Sequence, residues 1–228
     1  MGQTLLKVMV DSFERKSAED SKQKNLPFIT ISREHGCQGN TLAHMLHDAL
    51  AKQNHVWDIV NKEILHETAR ELNVSADHVR KVAAGLDRTI IDEIINSFSV
   101  KYYKSDRKIR RTIAMVVETS AQAGNVIIVG RGGAAITRNM TSGIHIRLTA
   151  PISYRLGNLI ESKGLSREEA FALLSKVDLK RYKFQRDFTK VGGDTNELFD
   201  ISFDCSRVKH EEIIKMIMAL LKERGIVG

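Results

Sequence analysis

Two hydrophobic periods alternate along the chain. Phe28-Ile29-Thr30-Ile31 is a short apolar run of strand type, and Leu42, Met45, Leu46, Ala49 and Leu50 then recur at helical spacing. The succession returns at His55–Val60, a second strand, after which Asn61 caps a helix with Glu63 in its first turn. Ile64, Leu65, Ala69 and Leu72 mark that helix. Ser75 opens a short one that stops at Gly85, and Ile90, Ile91, Ile94, Ile95 and Phe98 mark another. Ser105 opens the helix carrying Ile109, Ile113, Val116 and Val117, and Gly124 closes it. Val126–Val129 is wholly apolar, as a central parallel strand must be, and runs into Gly130-Arg131-Gly132-Gly133. Ile144–Leu148 is a fourth strand. Pro151 starts a helix that Gly164 ends. Ser166 and Glu169 form a capping box for a long charged helix. A polar loop follows, then a fifth strand at Ile201–Asp204 and a last helix over residues 211–223.

Strands alternating with helices predict an α/β domain: a five-stranded parallel sheet with helices on both faces. Ligands of such sheets bind beyond the carboxyl ends of the strands. The residues to watch are therefore Ser32–Thr41, Asn61–Glu63, Gly130–Gly133 and Thr149–Ala150. Ahead of the domain, which starts at Pro27, Leu5, Leu6, Met9, Val10 and Phe13 share one helical face, and Ser17–Asn25 reads as a linker. Residues 1–26 are thus an amphipathic helix and linker. With only Lys7 and Arg15 as nearby cations, packing or a homodimer contact is favoured over a membrane surface.

Composition narrows the partners. The chain has 228 residues, 35 Lys+Arg against 28 Asp+Glu and a formal charge of +7. That suits an anionic small molecule and also fits nucleic acid. Aromatic content of 6% leaves few platforms for stacked bases. Lys101, Lys104, Arg107, Lys108, Arg110 and Arg111 crowd around Tyr102 and Tyr103, which reads as a solvated helix face before it reads as an RNA surface. Two cysteines without paired spacing, Cys37 and Cys205, argue against a disulfide framework or a zinc site. No apolar run reaches the roughly 18 residues that span a membrane. The expected setting is cytoplasmic, with no membrane partner.

Strand, glycine-bearing loop and helix start at Phe28–Leu42 make an anion site, because free N–H groups and the helix dipole converge on the loop. The letters depart from the phosphate-loop pattern G-x-x-x-x-G-K-[ST]. An altered nucleotide-phosphate loop and an ordinary strand-to-helix turn both fit. His35 is placed to donate to a phosphate. Cys37, at the helix start, has either a depressed, oxidisable thiol or a quiet one.

Four segments resemble one family. Ile29–Ala43, Gly130-Arg131-Gly132, Ile146–Arg155 and Asp178–Arg186 occur in the order found in cytidylate kinase-like proteins, a divergent branch of the P-loop nucleoside monophosphate kinases. The resemblance covers about residues 27 to 222. It implies a P-loop kinase fold for residues 27–228, ATP with Mg²⁺ as donor, and a nucleoside monophosphate acceptor of the CMP or dCMP kind. It also implies a helical acceptor-side insert at about 61–123 and an arginine-bearing lid at about 178–196. On this placement Gly39 stands at the lysine position of the phosphate loop, Arg33 at its first glycine, and Thr41 at the hydroxyl that holds Mg²⁺. Arg33, His35, Gly36, Cys37, Gln38, Gly39, Asn40 and Thr41 would surround the donor phosphates, with Arg155 near the adenine side or else an ordinary surface arginine.

Phosphoryl transfer needs cations converging from several elements. Arg131 follows a central strand and would hold the acceptor phosphate; the alternative is a pairing with a surface carboxylate. Asp178, Lys180, Arg181, Lys183 and Arg186 share the long helix. Arg181 and Arg186 are the better candidates for a closing lid, because a planar guanidinium grips two oxygens at once. Arg33 either replaces part of the missing ammonium or only holds the loop. Ser32, Gly132 and Asn61 stand where related kinases carry aspartates. Three functions follow: a phosphotransferase, a nucleotide-binding regulator without catalysis, or an RNA-binding module.

Overall fold

The computed structural model describes residues 26–61, 107–186, 188 and 195–228, with the backbone alone at 107–112 and 195. The expected amino-terminal helix, the helices between Asn61 and Ser105, the Ser105 cap and residues 101–106 of the Lys101–Arg111 cluster lie outside these residues. In chain order the elements are β1 (Phe28–Arg33), α1 (Gly39–Ala51), β2 (Asp58–Val60), α2 (Arg107–Ala123), β3 (Val126–Val129) and a single turn α3 (Gly133–Ile136). Then come β4 (Gly143–Thr149), α4 (Ile152–Lys163), α5 (Arg167–Arg186), a 3₁₀ turn (Thr195–Leu198), β5 (Ile201–Asp204) and α6 (His210–Glu223).

The strands form one sheet in the order β2-β3-β1-β4-β5, and every pair is parallel. β1 lies at the centre, so the loop that leaves it emerges in the middle of the carboxyl edge, with the turn after β3 beside it. Strand geometry divides the side chains between two cores. Ile29, Ile31, Ile127, Val129, Ile144, Ile146 and Leu148 join α1 and α6 on one face. Phe28, Val126 and Ile128 join α2 on the other. His145, on that second face, pairs with the Thr30 hydroxyl at 2.8 Å and stacks edge-on against Phe28.

One expectation needs correction. The second strand is Asp58–Val60, not His55–Val60. His55 N–H still closes α1 on the Leu50 carbonyl, Val56 is 85% exposed, and Trp57 turns inward as a plug, so pairing starts at Asp58. The charged helix is continuous over 20 residues, Arg167–Arg186, and carries the arginines assigned to the lid; of the expected lid at about 178–196, residues 187 and 189–194 lie outside the described residues. Its capping box is present: Ser166 N–H donates to Glu169 at 2.9 Å and Glu169 N–H to the Ser166 hydroxyl at 3.2 Å. Asn61 is buried at 3% exposure, and the helix it was expected to cap lies outside the described residues. Among the described residues, no helix is long and apolar enough to cross a membrane.

Candidate active site

The loop after β1 is held from three sides. Glu34 N–H continues the sheet by donating to the Leu148 carbonyl at 3.0 Å. Gly36 turns the chain at φ +91°, and a Cβ there would lie 2.7 Å from the Arg155 carbonyl oxygen, so α4 packs directly on the loop backbone. Asn158 of α4 donates to the Gly36 carbonyl at 2.9 Å. Gln38, at φ 50°, occupies the N-cap position of α1 without a side-chain cap.

Arg155 ties these pieces together. It is 6% exposed, which rules out the surface-arginine alternative. Its Nε donates to the Ala150 carbonyl at 2.9 Å and its Nη1 to the His35 carbonyl at 3.4 Å. The same Nη1 pairs with the Asp178 carboxylate, whose other oxygen accepts the His35 N–H at 2.7 Å. Glu34 lies 3.4 Å from Arg155 Nε and accepts the Ala150 N–H. The guanidinium therefore sits under the loop, bound by protein on several edges. A buried charge with two carboxylates and two carbonyls is tolerable where a bare one is not. One consequence concerns the loop amides: that of His35 already faces Asp178.

Cys37 is 1% exposed, and its thiol is pushed up from its ordinary value, first by the hydrogen bond it donates to Cys205 and then by burial. The depressed-thiol alternative is thus corrected: the fold keeps Cys37 protonated. Cys205 moves down to about 6, chiefly through that same bond. Sequence distance concealed this meeting of the two cysteines.

Beyond the carboxyl ends of β1 and β3, with α5 as its roof, lies a cavity of about 460 Å³. Arg33, Arg131, Lys163, Lys180 and Arg181 line it, and among the described lining residues there is no carboxylate. Val129, Val177 and Phe184 supply an apolar wall. Arg131 stands at φ 56° between Gly130 at 75° and Gly132 at 70°, a left-handed turn that aims the chain back toward the sheet. Arg181 Nη1 donates to the Arg33 carbonyl at 3.1 Å, which fixes the α5 roof to the end of β1. His35 also faces the cavity, and its Nε2 is buried with no hydrogen-bond partner among the described residues.

Burial first, then Arg181, pushes the His35 imidazole down to about 4, so it is neutral near pH 7. Burial also lowers His145. Both groups take up a proton in the unfolded chain near the ordinary value of 6.5 but resist it when folded. Stability they contribute is present above 6.5 and lost as pH falls below it, for His35 toward about 4. His35→Asn is expected to flatten this part of the melting-temperature profile. An unchanged slope in the variant would remove His35 from the account.

The structure thus brings Arg33, His35, Arg131 and Arg181 to one cavity. Arg186 is not in its lining; its Cζ lies 6.0 Å from the Tyr182 ring. Thr41 is exposed in the first turn of α1, and Gly36, Cys37, Gln38 and Asn40 lie on the α1 side, outside the lining. Lys163 was not foreseen, because it reads as a helix-end cation that suits the dipole. Asp178 carried a usable signal: it is the only carboxylate of α5 after Glu169, in an otherwise basic stretch.

The chain is similar in sequence or fold to known proteins. The model of the cytidylate kinase-like family matches residues 28–207. A protein named "Cytidylate kinase" from Pyrococcus horikoshii is 28% identical over 130 residues, covering 56% of this chain and 66% of that protein. One of the same name from Pyrococcus abyssi is 28% identical over 123 residues, covering 53% and 66%. Among solved structures, an uncharacterized protein from Eubacterium ventriosum superposes with a TM-score of 0.58 at 18% identity, covering 88% of this chain and 99% of that one. Shikimate kinase from Bacteroides thetaiotaomicron gives 0.50 at 12% identity, with 86% and 98% covered. At these identities the structural likenesses concern the fold.

Proposed function

Since the chain belongs to the cytidylate kinase-like family, we propose that it is an ATP-dependent phosphotransferase whose acceptor is a small phosphate-bearing molecule. A nucleoside monophosphate of the CMP or dCMP kind comes first, in line with the names of the two Pyrococcus relatives. The observation that carries the reading is the cavity: five cations from β1, the β3 turn, α4 and α5 face one space whose described lining holds no carboxylate. A space lined by several cations suits an anionic ligand such as a nucleotide.

The residues present fit a nucleotide. His35 Nε2 is a buried polar atom awaiting a partner, and a neutral imidazole hydrogen-bonds an oxygen without adding charge. Arg131 would hold the acceptor phosphate. Arg181, from the α5 roof, would face charge developing on the transferred group. Amides of residues 36–41 would approach the donor phosphates; counted from Gly39 at the lysine position, Asn40 takes the place of the metal-holding hydroxyl and Thr41 lies one residue further on. When bound, ATP supplies the phosphoryl group and Mg²⁺ offsets its charge. Val177 and Phe184 offer apolar surface to a base or ring. A cytoplasmic supply of ATP belongs to the same proposal.

A regulatory reading is favoured by two specific observations: Gly39 at the lysine position, and Asp178 on the His35 amide. Both readings predict that ATP with Mg²⁺ raises the melting temperature, by about 2.7 kcal/mol of stabilisation at a hundredfold excess over Kd. Only the phosphotransferase forms ADP in proportion to an added acceptor. A panel of nucleoside monophosphates and phosphorylated metabolites decides between them. ATP binding without ADP from any acceptor would hand the protein to the regulatory reading.

A further inference from the structure

We propose that Arg33 replaces the absent phosphate-loop lysine, reaching the phosphates from the opposite end of the loop. This rests on the phosphotransferase reading and assigns within it the group that grips the donor's outer phosphates. Gly39 is buried in the first turn of α1. A Cβ added there would lie 3.0 Å from Arg33 Cγ and 3.2 Å from its Cδ. A Cβ added to Gly130 would lie 1.8 Å from Arg33 Nη1 and 3.0 Å from its Cζ. The arginine stem therefore runs across Gly39, and its guanidinium ends against the turn that follows β3.

The two glycines have different reasons. Gly130 sits at φ +75°, where a side chain is strained in any surroundings. Gly39 is in helical backbone that any residue adopts, and glycine there costs about 1 kcal/mol against alanine. What favours a small residue at position 39 is the Arg33 stem, which a Cβ there would push aside by a few tenths of an ångström. The lysine's own place is filled by the stem of the residue that supplants it. Charge is thus conserved at the site while its origin moves from the helix to the strand end.

Location follows from the same contacts. The guanidinium lies between the loop after β1 and the turn carrying Arg131, on the cavity wall. The Arg181 bond to the Arg33 carbonyl holds the backbone from which it springs. A planar fork there engages two phosphate oxygens at once, which an ammonium does not.

The test uses isothermal titration of the full chain with ATP, with AMP and with inorganic triphosphate, each with Mg²⁺, beside ADP formation. Arg33→Ala is expected to weaken ATP and triphosphate binding about tenfold to a hundredfold while AMP binding stays within about twofold. Arg33→Gln keeps the packing on Gly39 and removes the charge, so it carries the test if the alanine variant fails to fold. Gly39→Lys alone is expected to impair triphosphate binding, because two stems compete for one slot. Adding Arg33→Ala to it is expected to recover most of the loss. Wild-type binding of ATP with undiminished binding by both Arg33 variants overturns the inference and spares the phosphotransferase. So does equal loss of ATP and AMP, which marks a structural residue. A wild-type chain that ignores ATP and triphosphate alike overturns both.

Discussion

Arg155→Ala is expected to lower the stability of the folded chain by about 3 kcal/mol, the lower end of the range for breaking a buried pair. The arginine is 6% exposed and engages Asp178, Glu34, the His35 carbonyl and the Ala150 carbonyl. Removing it leaves two carboxylates facing a space that a methyl group does not fill. The loss is held to the lower end because each keeps a second donor: Asp178 the His35 N–H and Glu34 the Ala150 N–H. Their side chains also stay 26% and 30% exposed, so water reaches them. For a domain of this size about 3 kcal/mol is roughly 6–12 °C in melting temperature. Urea unfolding measures it directly. Asp178→Asn, which keeps an acceptor for His35 N–H, is expected to cost less than Arg155→Ala. If Arg155→Ala lies within about 0.5 kcal/mol of wild type, a range typical of plain surface substitutions, the loop is not anchored as described.

Arg131→Ala is expected to reduce kcat/KM for the acceptor by about 10²–10³, the loss typical of one preorganised charge-stabilising donor. Its melting temperature should barely move. Arginine and alanine meet the same left-handed backbone at φ 56°, and the flanking Gly130 and Gly132 already bear the turn. Arg131→Lys keeps the charge but not the fork and should fall between the two. Steady-state kinetics with the acceptor found in the panel provide the measurement. An Arg131→Ala enzyme with wild-type acceptor kinetics would place the acceptor elsewhere, and Lys163 and Lys180 on the same cavity would then be the groups to vary.

The fold was legible to the extent that backbone and solvent decide it. Val126–Val129 is apolar at every position because both faces of a central parallel strand are covered. Gly124, Gly130, Gly132 and Gly164 mark turns because the backbone there is left-handed. β2 was overread because Val56 has strand character but no strand beside it; an isolated propensity yields to where the neighbours stop.

The site was legible in part. Position after a strand singled out Arg33, His35 and Arg131, since topology alone sends such residues to the carboxyl edge. Charge type did not separate Arg181, which lines the cavity, from Arg186, five residues on and outside its lining, nor reveal that Arg155 lies under the loop. A guanidinium is the same in sequence whether it faces water, a ligand or a carboxylate.

Local chemistry along the chain therefore determined the alternating elements, the parallel sheet and the edge at which ligands gather, because each depends on residues near in sequence. Which arginine bears structure and which faces the cavity was decided by tertiary packing alone. Arg155 meets Asp178 only when α4 and α5 close on the loop, Cys37 meets Cys205 only when β5 joins the sheet, and Arg33 crosses Gly39 only when strand end and helix start are folded together. A lone carboxylate such as Asp178 hints that a partner exists, but which residue it meets is a property of the assembled surroundings.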